Sequence, residues 1–282
     1  MKYGIDIVCF IGRNQKKGIE FYIECAEAAE DAGWDGYFIW DHIWGFWEEP
    51  LKTLDPWIIL AAVAARTDKI RLGPMVTPLA RRRPWKVARE TVTLDHLSGG
   101  RLTLGVGLGG TTEEFGLFSE PTELKTRAKK LDEGLEILTG LWSGKSFSYT
   151  GKHYKIKDVT FIPKAIQKPR IPIWVAGYWP NKLPFYRAAK YDGVFPGANF
   201  GVHFGPDELK DVLSIIKKRR GNLDGFEIIG GGVTTGTNTS KDAEIVQPWI
   251  EAGATWFMEN ITDWIGTEEE LLTRIQKGPP SI

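Results

Sequence analysis

The chain alternates two kinds of apolar pattern. Short runs rich in β-branched and aromatic residues are each followed by a segment whose apolar positions recur every three or four residues. The first pair is Tyr3–Phe10 and Lys17–Ala32, where Phe21, Ala28 and Ala29 share a helical face and Gly33 is the stop signal. Gly36–Trp40 and Asp55–Arg66 follow, with Asp55 as N-cap and Pro56 at the first helical position. Then come Ile70–Thr77 with Pro84–Leu97, Arg101–Val106 with Leu124–Trp142, and Ile171–Ala176 with Pro184–Lys190. Gly193–Phe195 with Asp207–Arg220, Phe226–Val233 with Lys241–Glu251, and Ala254–Glu259 with Glu268–Gln276 complete the series. Eight strand–helix units whose strands are apolar on both faces predict an α/β fold, a (β/α)8 TIM barrel. A doubly wound open sheet would show five or six units and a Gly-rich first turn. The first strand here leads into Ile11-Gly12-Arg13-Asn14, without that glycine pattern.

One segment breaks the rhythm. Lys145 to Pro169 is longer than an ordinary connection, and Phe147–Thr150, Gly151-Lys152 and His153–Ile156 read as a β-hairpin insertion before strand five. The length of 282 residues suits one barrel domain over residues 1–282.

Composition narrows the partners. Lys plus Arg and Asp plus Glu both number 36, so the net charge is zero, and a nucleic-acid partner is not expected. The basic run Lys217–Arg220 ends a helix, where cations favour the dipole. Cys9 and Cys25 form no CxxC pair, which fits a reducing cytoplasm. The opening apolar run is broken by Asp6 and Gly12, so neither a signal peptide nor a membrane span is expected. Of four histidines, only His42 and His203 fall on the face where a barrel carries its chemistry, so no metal centre is expected. GxSxG is missing, which argues against a serine hydrolase.

In this fold the loops after the strands form the active face, and the unusual residues collect there. Strand two ends in Trp40-Asp41-His42, a carboxylate and an imidazole able to position or protonate a ligand. The bland alternative is that Asp41 caps the next segment and His42 packs under a loop. Trp44, Phe46 and Trp47 follow, either packed on neighbours or lining an apolar pocket. Gly73 and Pro74 inside strand three suggest a bulge or a close ligand approach ahead of Met75, Val76 and Thr77. Gly105, Gly107, Gly109 and Gly110 after strand four leave room for a flat ring or a phosphate. Gly177-Tyr178-Trp179-Pro180-Asn181-Lys182 reads as a turn into a helix, where free N–H groups and a lysine would cradle a phosphate.

These residues resemble the bacterial luciferase-like family of flavin-dependent monooxygenases and deazaflavin-dependent oxidoreductases. The resemblance runs over nearly the whole chain. It is carried by Trp40-Asp41-His42, Ile70-Arg71-Leu72-Gly73, Arg83-Pro84 and the block from Leu94 through Arg101 into Gly105-Val106-Gly107. Ile171 to Gly177 and Ala188 to Gly193 complete it. The resemblance implies a metal-free barrel holding FMN or a deazaflavin (coenzyme F-420) at the strand ends, and commonly a homodimer. It implies a non-prolyl cis peptide behind the ring, placed here at Met75–Val76, and a phosphate site over Gly177 to Lys182. It puts His42 against the ring or the substrate. The turn after strand five matches neither the Gly-Pro-Lys of deazaflavin members nor the Ser-rich turn of flavin members, so both cofactors stay open.

The expectation is thus a flavin-dependent oxidoreductase of monooxygenase class acting on a small molecule. His42 is the catalytic residue; Asp41, Met75, Val76, Thr77, Gly105, Gly107, Gly109 and Gly177 through Lys182 hold the cofactor; Trp44, Phe46 and Trp47 roof the substrate. A deazaflavin-dependent hydride-transfer enzyme is the alternative within the class, and a non-catalytic flavin-binding barrel the alternative outside it.

Overall fold

The computed structural model describes residues 1–11, 18–46, 50–199, 201–262 and 266–282. Its barrel strands run parallel in chain order: β1 Lys2–Ile7, β2 Gly36–Ile39, β3 Arg71–Pro74, β4 Leu104–Gly107, β5 Ile173–Trp179, β6 Gly193–Ala198, β7 Glu227–Gly232 and β8 Trp256–Ile261. The helices that cover them are α1 Ile19–Asp31, α2 Pro56–Arg66, α3 Pro84–Leu97, α4 Leu124–Trp142, α5 Leu183–Ala188, α6 Pro206–Arg220, α7 Thr239–Ala252 and α8 Glu268–Gln276. β8 pairs with β1, so the sheet curls into a nearly closed barrel as expected.

The curl completes through a strand that changes partners. Arg71–Pro74 pairs with β2. A cis peptide joins Met75 to Val76, as the resemblance implied. Beyond it, Thr77–Pro78 pairs with Val106–Gly107 of β4. This crossing brings two backbones very close. A Cβ on Gly73 would lie 1.9 Å from the Thr103 carbonyl oxygen, and one on Gly105 would lie 2.3 Å from that of Pro74. On Gly107 it would meet Val76 Cγ2 at 2.7 Å.

The barrel interior is filled from below. Glu227 accepts from Arg71 Nη1 at 2.6 Å and from the indole N–H groups of Trp174 at 2.8 Å and Trp256 at 3.0 Å. Phe38, Met75, Ile229 and Met258 pack above this layer. Outside the strands, α2 starts as expected, with Asp55 Oδ1 accepting from the N–H groups of Trp57 and Ile58. The Leu94–Arg101 block is structural. Asp95 ties down the N–H groups of Ile166 and Gln167, and Arg101 donates to the carbonyls of Ala64, Thr67, Ile70 and Ser98.

Several boundaries differ from the sequence pattern. β1 ends at Ile7, and Phe10–Ile11 turns away to pair with Pro50–Thr53, which also pairs with Gly45–Phe46. The aromatic loop after β2 is therefore part of a small antiparallel sheet. β5 runs to Trp179, because Tyr178 and Trp179 suit a strand and pair in register with Gly197 and Ala198. The hairpin insertion is present as Ser146–Thr150 and Lys155–Thr160.

Replacing Gly73 with Ala should cost on the order of 3 kcal/mol, since its neighbour is backbone and cannot move aside. Gly110→Ala, whose nearest atom is Tyr178 Oη at 3.7 Å, should stay within about 0.5 kcal/mol. Urea unfolding of the two variants measures both, and equal midpoints would contradict the crossing's tight geometry.

Candidate active site

The chain ends of β2, β3 and β4 are joined by two buried carboxylates. Asp41 follows β2 and is 2% exposed. Its Oδ2 accepts from Trp57 Nε1 at 3.0 Å and Thr77 Oγ1 at 2.8 Å, and its Oδ1 from Arg81 at 3.1 Å and Arg82 at 2.9 Å. Asp41 and Thr77 were expected to touch a cofactor. Their polar side-chain atoms instead bond to each other and to the protein, so they fix the rim.

The second carboxylate is Glu114, on a four-residue helix, Glu113–Gly116, in the loop after β4. Sequence reasoning missed it. It is fully buried, and its Oε1 accepts from the N–H groups of Ile43 at 2.7 Å and Trp44 at 3.2 Å. Arg81 Nη1 makes an ion pair with the same oxygen at 3.2 Å. Oε2 takes Thr111 Oγ1 at 3.2 Å and lies 3.1 Å from His42 Nδ1. Burial opposes its ionisation, but the hydrogen bond and charge of His42, the charge of Arg81 and the Ile43 N–H outweigh it and hold Glu114 down at about 2. Against an ionised acceptor, His42 Nδ1 carries a proton and donates it, which leaves Nε2 as the working nitrogen. The ring packs on Phe10 at 4.9 Å and Trp40 at 5.9 Å between centroids.

The other expected residues divide. Met75 points into the barrel core, and Val76 fills the space in front of Gly105 and Gly107. The room left by these two glycines therefore admits the protein's own strand crossing. The room at Gly109 is filled by Phe115, 2.7 Å from its missing Cβ. Gly177 faces Pro184 of α5. Because β5 continues to Trp179, the cradle expected at Gly177–Lys182 shrinks to the turn at Pro180, Asn181 and Lys182, all exposed. α5 begins there without a side-chain cap. Tyr178, 44% exposed, stands at the same rim. Trp44 is held through its backbone N–H by Glu114. Phe46 enters the small antiparallel sheet, while its side chain and all of Trp47 lie outside the described residues.

A cavity of about 620 Å³ opens on the opposite side of the mouth, over β1, β6, β7 and β8. Trp40 lies between it and His42. Phe195, Val233, Trp249 and Met258 make much of its wall, and Asp6 and Asn260 give it a polar end. Sequence reasoning placed none of its site residues here. Asp6 is 3% exposed, and burial pushes its carboxyl up to about 7, against the hydrogen bond from Trp40 Nε1 at 2.9 Å.

A barrel with such a mouth is shared with a known family, and the chain belongs to it: the luciferase-like monooxygenase family matches residues 1–276. An uncharacterised Mycobacterium tuberculosis protein, Rv0940c, is 32% identical over 227 residues, 74% of this chain and 75% of that one. The F420-dependent glucose-6-phosphate dehydrogenase of Microbacterium testaceum is 34% identical over 155 residues, 54% of this chain but 45% of its own length. Among solved structures, the monooxygenase RslO1 from Streptomyces bottropensis superposes with TM-score 0.78 at 21% identity, covering 98% of this chain and 97% of that one. An F420-dependent secondary alcohol dehydrogenase gives 0.79 at 16% identity, covering 99% and 98%. At these identities the structural likenesses speak for the fold alone. Membership of the family makes the chain an oxidoreductase.

Glu114 yields a pH prediction. Its folded pKa lies below its ordinary value of 4.5, so the stability it contributes is present above that value and lost as pH falls towards about 2. The full contribution is on the order of 3 kcal/mol. In urea unfolding, the advantage of the wild type over Glu114→Gln should shrink steadily from pH 5 to pH 3. A difference independent of pH would contradict the ionised state.

Proposed function

We propose that the chain is a monooxygenase that uses reduced flavin, with the ring at the rim of β3 to β5 and the substrate in the cavity across the mouth. The observation that carries this reading is His42, fixed through Nδ1 by a buried carboxylate and separated from the cavity by Trp40. The donor set suits a flavin-type group. The backbone of Met75–Val76 would back a flat ring, and Asn181, Lys182 and the start of α5 would hold a phosphate. When bound, the reduced cofactor supplies the electrons, to oxygen or to a substrate.

The residues of the chain do the rest. Glu114 holds the imidazole in one orientation and stabilises it when it gains a proton. His42 Nε2 takes or gives the proton that accompanies electron transfer. A barrel blocked by Trp44 or Trp179 would favour a non-catalytic binder, whereas the cavity is open and lined by neither.

A second reading has its own support. Hydride transfer between a deazaflavin and an alcohol needs a base, and a histidine backed by an ionised carboxylate is one. The F420-dependent dehydrogenase among the relatives agrees with it.

Titrating the protein separately with reduced FMN and reduced F420 distinguishes the two readings; binding of neither overturns both. With the cofactor that binds, His42→Ala should lower kcat by about 10² to 10³-fold while leaving cofactor affinity within a few-fold. Unchanged turnover would remove the role given to His42.

A further inference from the structure

Asp6 is a carboxyl group in an unusual place. It sits near the inner end of β1, in register with Asn260 on β8 and Phe38 on β2. Strand alternation turns it inward with Gly4, while Ile5 and Ile7 belong to the core beneath the helices. The walls around it are apolar: Trp40, Phe195, Ile229, Val233 and Met258. Among the described residues no cation pairs with it, and its hydrogen-bond partner is the Trp40 indole at Oδ1.

A buried carboxylate without a cation is disfavoured by several kcal/mol, so below about pH 7 the group rests as the neutral acid. Burial accordingly raises it to about 7. A neutral carboxyl has one O–H donor. With Trp40 donating to Oδ1, that proton belongs to Oδ2, and among the described residues no acceptor meets it. Asp6 lines the cavity, so a ligand there can supply the acceptor.

We propose that Asp6 is a specificity-determining residue of this cavity: its carboxyl O–H donates to a carbonyl or imine acceptor of the substrate, so the cavity selects a mainly apolar molecule bearing one such group. The selection rests on reading the cavity as the substrate site of the redox reaction. Asn260, beside Asp6, adds a second polar group at the same end of the cavity. The other end, towards Phe204 and Trp249, recognises shape and apolar area.

The test uses two probes alike in shape, 4-phenyl-2-butanone and butylbenzene, which differ by one carbonyl. Binding to the cofactor-free protein, at a pH below 7 where Asp6 keeps its proton, is followed by the protein's tryptophan fluorescence, to which Trp40 and Trp249 at the cavity contribute. The wild type should bind the ketone about tenfold more tightly than the hydrocarbon. Asp6→Leu should bring that ratio close to one without weakening the hydrocarbon. Asp6→Asn, whose amide still donates, should keep most of the preference, and it serves if the leucine variant does not fold. A ratio unchanged in Asp6→Leu, a ratio lost in a folded Asp6→Asn, or no binding of either probe to the wild type would overturn the proposal. Parallel titrations with reduced FMN and reduced F420 separate the two readings. An intact ketone preference without cofactor binding sustains the role of Asp6 and overturns the redox reading instead.

Discussion

Glu114 is a carboxylate with no exposed surface and donors on every side. Stripping water from a charge costs several kcal/mol, and only dense hydrogen bonding or a nearby cation offsets that. Glu114 has both, and satisfying it decides the shape of the mouth. The chain after β2 must turn so that the N–H groups of Ile43 and Trp44 converge on Oε1. His42 must present Nδ1 to Oε2. Arg81, shared with Asp41, links this carboxylate to the end of β3. Three strand ends are thereby held by charge as well as by backbone pairing.

The same rim shows how tightly backbone and site are coupled. Strand three pairs with β2 along Arg71–Pro74 and meets the chain ahead of β4 at the Leu72–Leu102 bridge. It pairs with β2 first, crosses at Met75–Val76, and then pairs with β4. Gly73, Gly105 and Gly107 are small because the crossing occupies the space where their side chains would be. A glycine-rich strand end, read from sequence as space for a ligand, is here space for the protein itself. The two meanings look alike along the chain and separate only when the neighbouring strand is in place.

The barrel was legible because its signal is periodic. Apolar runs and helical faces alternate eight times, and local rules such as the Asp55 cap held at atomic detail. The site was legible only in part. Asp41 and His42 stood out because strand ends in this fold carry chemistry, yet the polar atoms of Asp41 turned out to serve the scaffold. Glu114 gave no signal, since its exposed neighbour Glu113 has the same chemistry and only tertiary packing distinguishes them. Asp6 did leave a trace. It interrupts an apolar strand at an inward position, and a polar residue there needs a reason. That trace registered only as a break in hydropathy, because which face was the interior depended on barrel closure.

An ionised Glu114 fixes His42 with its proton on Nδ1 and leaves Nε2 bare. Two-dimensional ¹H–¹⁵N spectroscopy of the labelled imidazole at alkaline pH reads the tautomer. His42 should show a protonated Nδ1 and an unprotonated Nε2 in the wild type, and a mixture of tautomers in Glu114→Gln. A wild-type ring protonated on Nε2, or one indifferent to the Glu114 substitution, would contradict this assignment.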